Sequence, residues 1–285
     1  MAKSSALAHE HPVLPRVVRI ASVTVLAVFT LAVVYPLLAV FFNSFKTQAD
    51  FFTNPWWLPE HLVLGNYTYA WTQARIPRFM LNSLVVAVLT TGLTLVLASL
   101  AGYAFARFRF RWRNGLFLLF AILLIVPAPI SIIPLYVIVA ELHLIDTYWA
   151  LVLPYAAGAM PLSIYLLRAF FATIPSELTD AARIDGCSDL SAFLRVVLPI
   201  SRPGIATVGI LAFVHAWNEF FLALIFIHNQ DLMTLPLGLQ TFFYQYHVEW
   251  PYYFAGLSTA IVPIIIVYVA LQRQFIRGMT AGAVR

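Results

Sequence analysis

Apolar residues run through this chain in long blocks separated by short polar stretches. The blocks fall at residues 20–42, 80–105, 116–140, 148–170, 204–227 and 253–271. About 20 apolar residues in a helix, rising about 1.5 Å each, cross the hydrocarbon of a bilayer. Each block meets that length, so the pattern predicts six membrane-spanning helices. The first block follows Arg16 and Arg19. It is longer than the apolar core of a signal peptide, about 7–15 residues, and reads as an uncleaved first span.

The pattern changes between the fourth and fifth blocks. Residues 176–199, SELTDAARIDGCSDLSAFLRVVLP, mix acids, arginines and serines with spaced apolar positions. Ser176 is placed to cap a helix, with Glu177 favourably in its first turn. Leu178, Ala181 and Ala182 form one small apolar face, and Asp180, Arg183 and Asp185 supply charge around it. Gly186 sits where a left-handed helix cap falls. Ser188 then starts a second helix with a stripe of Leu190, Phe193, Leu194 and Val197, and Pro199 stops it. A solvated linker with interfacial helices fits this pattern. So does a docking surface, whose small residues let a partner approach closely.

Composition strengthens the membrane reading. Hydrophobic residues make up 62% and charged residues 10% of the 285, against about 25% charged in a soluble domain. Mean hydropathy is +0.87. The class is therefore an all-α, polytopic membrane protein. Cys187 is the only cysteine, which excludes an intrachain disulfide and any cysteine-built metal site within the chain. The net charge of +5 asks for no nucleic acid, because its placement explains it. With the N-terminus inside, fourteen of the seventeen Lys and Arg fall on inner segments and only Lys46, Arg75 and Arg78 on outer loops. Both termini are expected in the cytoplasm. The organisation is then a tail at 1–19, a transmembrane domain at 20–275 containing a cytoplasmic loop at 171–203, and a second tail at 276–285. The outer loop after the first span is rich in Trp, Tyr and Pro (Trp56, Trp57, Tyr67, Tyr69, Trp71), as suits the interface.

Catalytic signatures are missing. No GxxxxGK[ST] loop occurs, and the only lysines are Lys3 and Lys46; no HExxH or GxSxG occurs either. Glu219, in WNEF, is the one acid well within a span and needs a partner or water there. With Asn218 it is either part of a translocation path or an interhelical hydrogen bond. Asn82 and Ser83 open the second span and are candidates for the path or for packing. Pro127, Pro129 and Pro134 crowd the third span, where they break a pathway helix or simply bend it. The cluster FARFRFRWRN from Phe105 is a docking or anionic-lipid site, or a short loop carrying orienting charge.

The loop resembles the EAA loop of bacterial ATP-binding-cassette importer permeases. That motif is E-A-A, three residues, G, nine residues, I-x-L-P. Here the matching positions are Asp180, Ala181, Ala182, Gly186, Val196, Leu198 and Pro199. NYTYAW from Asn66, FMLNSLVVA from Phe79, GYAFARFRF from Gly102, IPLY from Ile133, HAWNEFFLALIF from His215 and RGMTAGAV from Arg277 also match in order. The chain is thus similar to the maltose-transporter-type permeases of the carbohydrate uptake family. The resemblance implies a non-catalytic transmembrane half of an importer in the inner membrane of a prokaryote. It implies a second homologous permease, two cytoplasmic ATPase subunits that bind ATP and Mg, an external solute-binding protein and a carbohydrate substrate, with no cofactor in this chain. A glycerol-phosphate or polyol importer is the alternative within the family. An ion-coupled carrier fits poorly, with one intramembrane acid and no visible repeat. By residue match, Glu177, Asp180, Ala181, Ala182, Arg183, Asp185 and Gly186 would form the ATPase-coupling contact. Gly278, Ala281 and Gly282 would form a C-terminal tail contact.

Overall fold

A computed structural model describes residues 16–243 and 249–281. In chain order the helices are α1 (Arg16–Asn43), α2 (Gln48–Thr53), α3 (Gly65–Thr72), α4 (Ile76–Arg107), α5 (Arg113–Leu123), α6 (Ile132–Glu141), α7 (Trp149–Ala172), α8 (Ser176–Ile184), α9 (Asp189–Ala192), α10 (Leu198–Ile200), α11 (Arg202–Asn218), α12 (Phe221–Phe226), α13 (Leu235–Gln240) and α14 (Trp250–Ala281). No strand occurs among the described residues.

Among the described residues, four helices are long and apolar enough to cross a membrane unbroken: Val18–Asn43, Ile76–Arg107, Trp149–Ala172 and Trp250–Ala270. Two of the six expected spans are not single helices. Residues 116–140 form α5, a 3₁₀ turn at Ala128–Ser131 and α6, instead of one helix. The prolines at 127 and 129 lack the amides a continuous helix needs there. Residues 204–227 split between α11 and α12, with the break at Glu219. The segment before α11 joins it through a bend of 80° at Ser201.

α4 and α7 form the spine. They run side by side toward the same end, which also carries α8, and α11 returns packed against both. Gly102 allows the close approach: a Cβ there would lie 3.1 Å from Leu167 Cβ and 3.2 Å from the Arg168 nitrogen. Two apolar cores stack along this spine. The one nearer α8 gathers Tyr103, Leu167, Phe171, Phe193 and Val197, and the other gathers Phe79, Val86, Tyr155, Trp217 and Phe226.

At the end opposite α8, polar side chains fasten the connecting segments. The buried Asn66 amide donates to the carbonyls of Ser44 and Lys46, both at 2.8 Å. Ser83 Oγ accepts from the Leu235 amide at 2.7 Å. Lys46 is buried with its ammonium on the Asn54 carbonyl, and desolvation pulls its pKa below the ordinary lysine value, against the opposing pull of Asp50. α1 is fastened at this end by Asn43 and Ser44 and touches α14, while no side chain of its apolar window is buried among the described residues.

Asp146 pins the α6–α7 connection to the strand of chain after α12. Its carboxylate accepts from the amides of His228 at 2.6 Å and Asn229 at 2.8 Å. Partial burial pushes its pKa up, but these donors, with the His228 ring, outweigh that and hold the carboxyl below its ordinary value. A depressed carboxyl stabilises the fold fully above its unfolded pKa of about 4, and loses that contribution as pH falls through the lower folded value. Amide protection at 226–230, measured by hydrogen exchange and corrected for intrinsic rate, is expected to exceed that of Asp146→Asn at neutral pH. The two should converge only well below pH about 4.

Candidate functional site: the α8 hairpin and the break at Glu219

The chain leaves α7 through the buried Ile174 and turns at Pro175, which holds the N-cap position in extended conformation (φ −58°, ψ 137°). Ser176 is the first helical residue and not the cap; the proline ring already fixes the entry angle. The Arg107 guanidinium at the end of α4 donates to the Ile174 carbonyl, tying the junction to the spine.

The inward face of α8 also differs from the expectation. Thr179 and Ala182 are buried, while Leu178 and Ala181 point outward. Thr179 can be buried because its hydroxyl donates to the Ser176 carbonyl at 2.7 Å. The outward face therefore carries Glu177, Asp180, Ala181 and Ile184 at i, i+3, i+4 and i+7, and Ile184 is 87% exposed.

Gly186 adopts φ +85°. Its amide donates to the Arg183 carbonyl at 3.0 Å and the Cys187 amide to the Ala182 carbonyl at 2.9 Å. This pair of bonds is the Schellman cap, which needs the left-handed residue. Arg183 then ties the two helices of the hairpin, with Nη1 2.9 Å from Asp180 and Nε 2.9 Å from Asp189. The Asp189 carboxylate, and after it Asp180, holds the guanidinium above its ordinary pKa. Glu177 and Asp185 have no ion-pair partner among the described residues. Beyond Asp189 the helix winds into a π-turn at Phe193–Val197. Phe193 packs on Tyr103 with ring centroids 4.7 Å apart, and Val197 is fully buried. Leu190 and Leu194 of the expected stripe stay half-exposed. Pro199 does not end the segment; it sits in the first turn of α10, and the chain bends two residues later at Ser201.

At the far end of α11 the helix breaks at Glu219. The carboxylate folds onto the start of α12, accepting from the amides of Leu222 at 2.9 Å and Ala223 at 3.4 Å. The fully buried Tyr155 of α7 donates its hydroxyl to the same carboxylate at 2.5 Å. Glu219 thus satisfies amides that the break frees and places its charge at a helix N-terminus. Beside it opens a cavity of about 470 Å³, lined by Ser131, Leu135, Tyr155, His215, Glu219 and Phe221 among others. His215 is exposed there, 6.4 Å ring to ring from Tyr155. Asn218 is exposed beside it, its amide on the Val214 carbonyl at 2.9 Å.

Asn82 is elsewhere. It is buried, its amide donates to the carbonyls of Asp231 and Met233, both at 2.9 Å, and its oxygen accepts from Tyr148. In this conformation it fastens the segment between α12 and α13. Gly278 and Ala281 lie on the last turns of α14, which continues as helix through the start of the expected tail; Gly282 lies outside the described residues. No group of three or more His, Cys, Asp or Glu that could hold a metal occurs among the described residues. Tyr155 and His215 were not picked out from sequence. His215 stands in HAWNEF, one helical turn before Glu219, and that spacing was the available signal.

Residues 94–281 match the model of a family described as the binding-protein-dependent transport system inner membrane component. The chain belongs to this family. It is a multi-pass protein of the cytoplasmic membrane. It is 39% identical over 262 residues to a probable ABC transporter permease protein of Bacillus subtilis, covering 91% of this chain and 86% of that one. It is 38% identical to a sulfoquinovosyl glycerol transport system permease protein of Agrobacterium fabrum, covering 88% of each. It is 36% identical to an arabinooligosaccharides transport system permease protein of Halalkalibacterium halodurans, covering 88% of this chain and 91% of that one. A chain from the crystal structure of a bacterial ABC transporter involved in the import of the acidic polysaccharide alginate has the same fold, with a TM-score of 0.81 over 91% of this chain and 97% of that one at 22% identity.

The two halves of the site yield separate tests. Gly186→Ala puts a β-carbon at a left-handed position, at a cost of about 1–2 kcal/mol. Exchange of the α8 amides is expected to quicken by about fivefold to thirtyfold while the α4 amides keep their protection. Tyr155→Phe removes a hydrogen bond to a carboxylate, worth about 1.5–3 kcal/mol. Thermal unfolding in detergent is expected to fall by several degrees, and an unchanged midpoint would show that Tyr155 does not hold Glu219.

Proposed function

We propose that this chain is one permease half of an ATP-driven importer for a sugar or oligosaccharide. A second, homologous permease completes the pathway, two ATPase subunits bind ATP and Mg²⁺ on the cytoplasmic side, and a solute-binding protein delivers substrate from outside. The observation that carries this reading is the presentation of α8. A bare linker has no need of a Schellman cap, a two-aspartate arginine clamp and an outward face that mixes two acids with an alanine and an 87% exposed isoleucine. A rigid helix with an exposed apolar and acidic stripe suits a cleft on a moving partner. In this reading Glu177, Asp180, Ala181 and Ile184 make the contact, Arg183 and Gly186 fix its geometry, and Asp185 borders it. Gly278, Ala281 and Gly282 would add a tail contact. The chain crosses the membrane six times, the third and fifth crossings being the broken ones, with both termini and α8 in the cytoplasm.

Carbohydrate as cargo is supported by relatives named for sulfoquinovosyl glycerol, arabinooligosaccharide and diacetylchitobiose transport. The cavity beside Glu219 suits such cargo: Ser131 and His215 offer polar groups near Phe221, an apolar platform, and Asn218 adjoins Glu219 in the chain. ATP does its work through differential binding, since the closed ATPase pair need only favour one arrangement of the permeases over the other.

Vesicles carrying the whole transporter test the reading through Asp180→Arg. Reversing the charge on the docking face is expected to reduce ATPase association and ATP-driven uptake by roughly tenfold or more, with membrane insertion intact. Normal uptake with the ATPase still bound would remove α8 from the coupling contact.

A further inference from the structure

The bend at Ser201 leaves a groove among the described residues. A cavity of about 580 Å³ lies where α4, α11 and α14 diverge, bordered by Thr91, Phe213 and Val267, with Arg202 among its lining residues. A second cavity, about 390 Å³ and lined without polar surface, lies between α4 and the α9–α10 segment. The two share Leu95, Leu198 and Ile205, so they adjoin across these side chains as one apolar surface on either side of the bend. Water is a poor occupant of such a surface, and a bilayer offers a better one.

Charge says what kind. Arg202 begins α11 and Arg195 lies on the π-turn before it; both are exposed, and neither has an acidic partner among the described residues. Their neighbours Leu194 and Ile200 are half-exposed, as on a segment lying in the membrane interface. The unneutralised Arg202 guanidinium in the lining of an acyl-sized groove complements a phosphodiester, and Arg195 adds basic charge on the preceding segment. In the basic cluster after α4, Arg107 and Arg113 donate to the carbonyls of Ile174 and Phe105 and Arg111 lies against Trp112, while Arg109 is exposed but, like the others, lines neither cavity.

We propose that the groove binds an anionic glycerophospholipid, its phosphate on Arg202 with Arg195 nearby and an acyl chain along Leu95, Leu198 and Ile205. The lipid completes the packing of the α9–α10 segment against α4. That segment is tied to α8 through Arg183 and Asp189, so occupancy of the groove braces the coupling hairpin. The binding site rests on the orientation proposed above, with α8 on the cytoplasmic side, but not on transport itself.

The test is native mass spectrometry of the full chain in the assembly in which it purifies, extracted from nanodiscs containing phosphatidylglycerol and phosphatidylethanolamine in equal amounts. One phosphatidylglycerol is expected to be retained in preference, and Arg202→Gln should reduce that preference by about fivefold, the weight of one basic residue at a membrane surface. Arg111→Gln should leave it unchanged. Leu95→Trp, which fills the groove and keeps both arginines, should also displace the lipid, so that a folding defect in one variant does not decide the matter. Equal retention in wild type and Arg202→Gln would overturn the proposal. So would a photo-crosslinker at Ile205 that captures another protein chain in place of lipid. Because the readout is lipid retention, it stands or falls separately from ATP-driven uptake.

Discussion

Inside a bilayer no water is available to an unpaired amide or carbonyl, and that constraint governs where this chain can depart from straight helix. Each departure is met by a nearby side chain or turn. The break after α11 is answered by the Glu219 carboxylate, which takes the freed amides of Leu222 and Ala223 and is itself held by Tyr155. The connection between α12 and α13 is answered by Asn82 and Ser83, which take up backbone groups from Asp231 to Leu235. A charged residue at depth is costly unless it is compensated in this way. Glu219 therefore does structural service whatever else it meets in the cavity.

The same spine gives α8 its fixed position. Gly102 lets α4 and α7 come close, Arg107 reaches from the end of α4 to the carbonyl before α8, and Phe193 and Val197 plug the second helix of the hairpin into the lower core. A displacement applied to α8 would be shared with α7 and α11 instead of being lost in a slack loop. That is the physical content of coupling in the proposed importer: two discrete arrangements of a packed bundle, biased from a surface that does not itself deform.

Much of this was legible in the chain. Run length found the apolar blocks, and the position of Gly186 at the end of the first amphipathic helix placed the turn and its left-handed glycine. The face of α8 was not legible, because Thr179 reads as polar in sequence yet buries itself by bonding to its own helix. The helix start was set one residue late, since Pro175 does the work assigned to Ser176. The break at Glu219 has no proline or glycine to announce it; it appears only when the carboxylate is seen on the next helix. Tyr155 was hidden for a related reason: a tyrosine in an apolar run looks like packing until its acid partner, 64 residues on, comes into contact. Pro127 and Pro129 did signal trouble in the third span, but a bend and a break look alike from sequence.

The most direct measurement uses the single cysteine to advantage. With Cys187→Ser as background, a spin label at Ala181→Cys reports on the outward face of α8. Labelled permease in nanodiscs, without and then with the ATPase subunits, gives the label's mobility by electron paramagnetic resonance. The account predicts a mobile label alone, immobilisation when the ATPase binds, and a further change when ATP is added. A label that stays equally mobile throughout, in a complex shown to contain the ATPase, would contradict α8 as the docking helix.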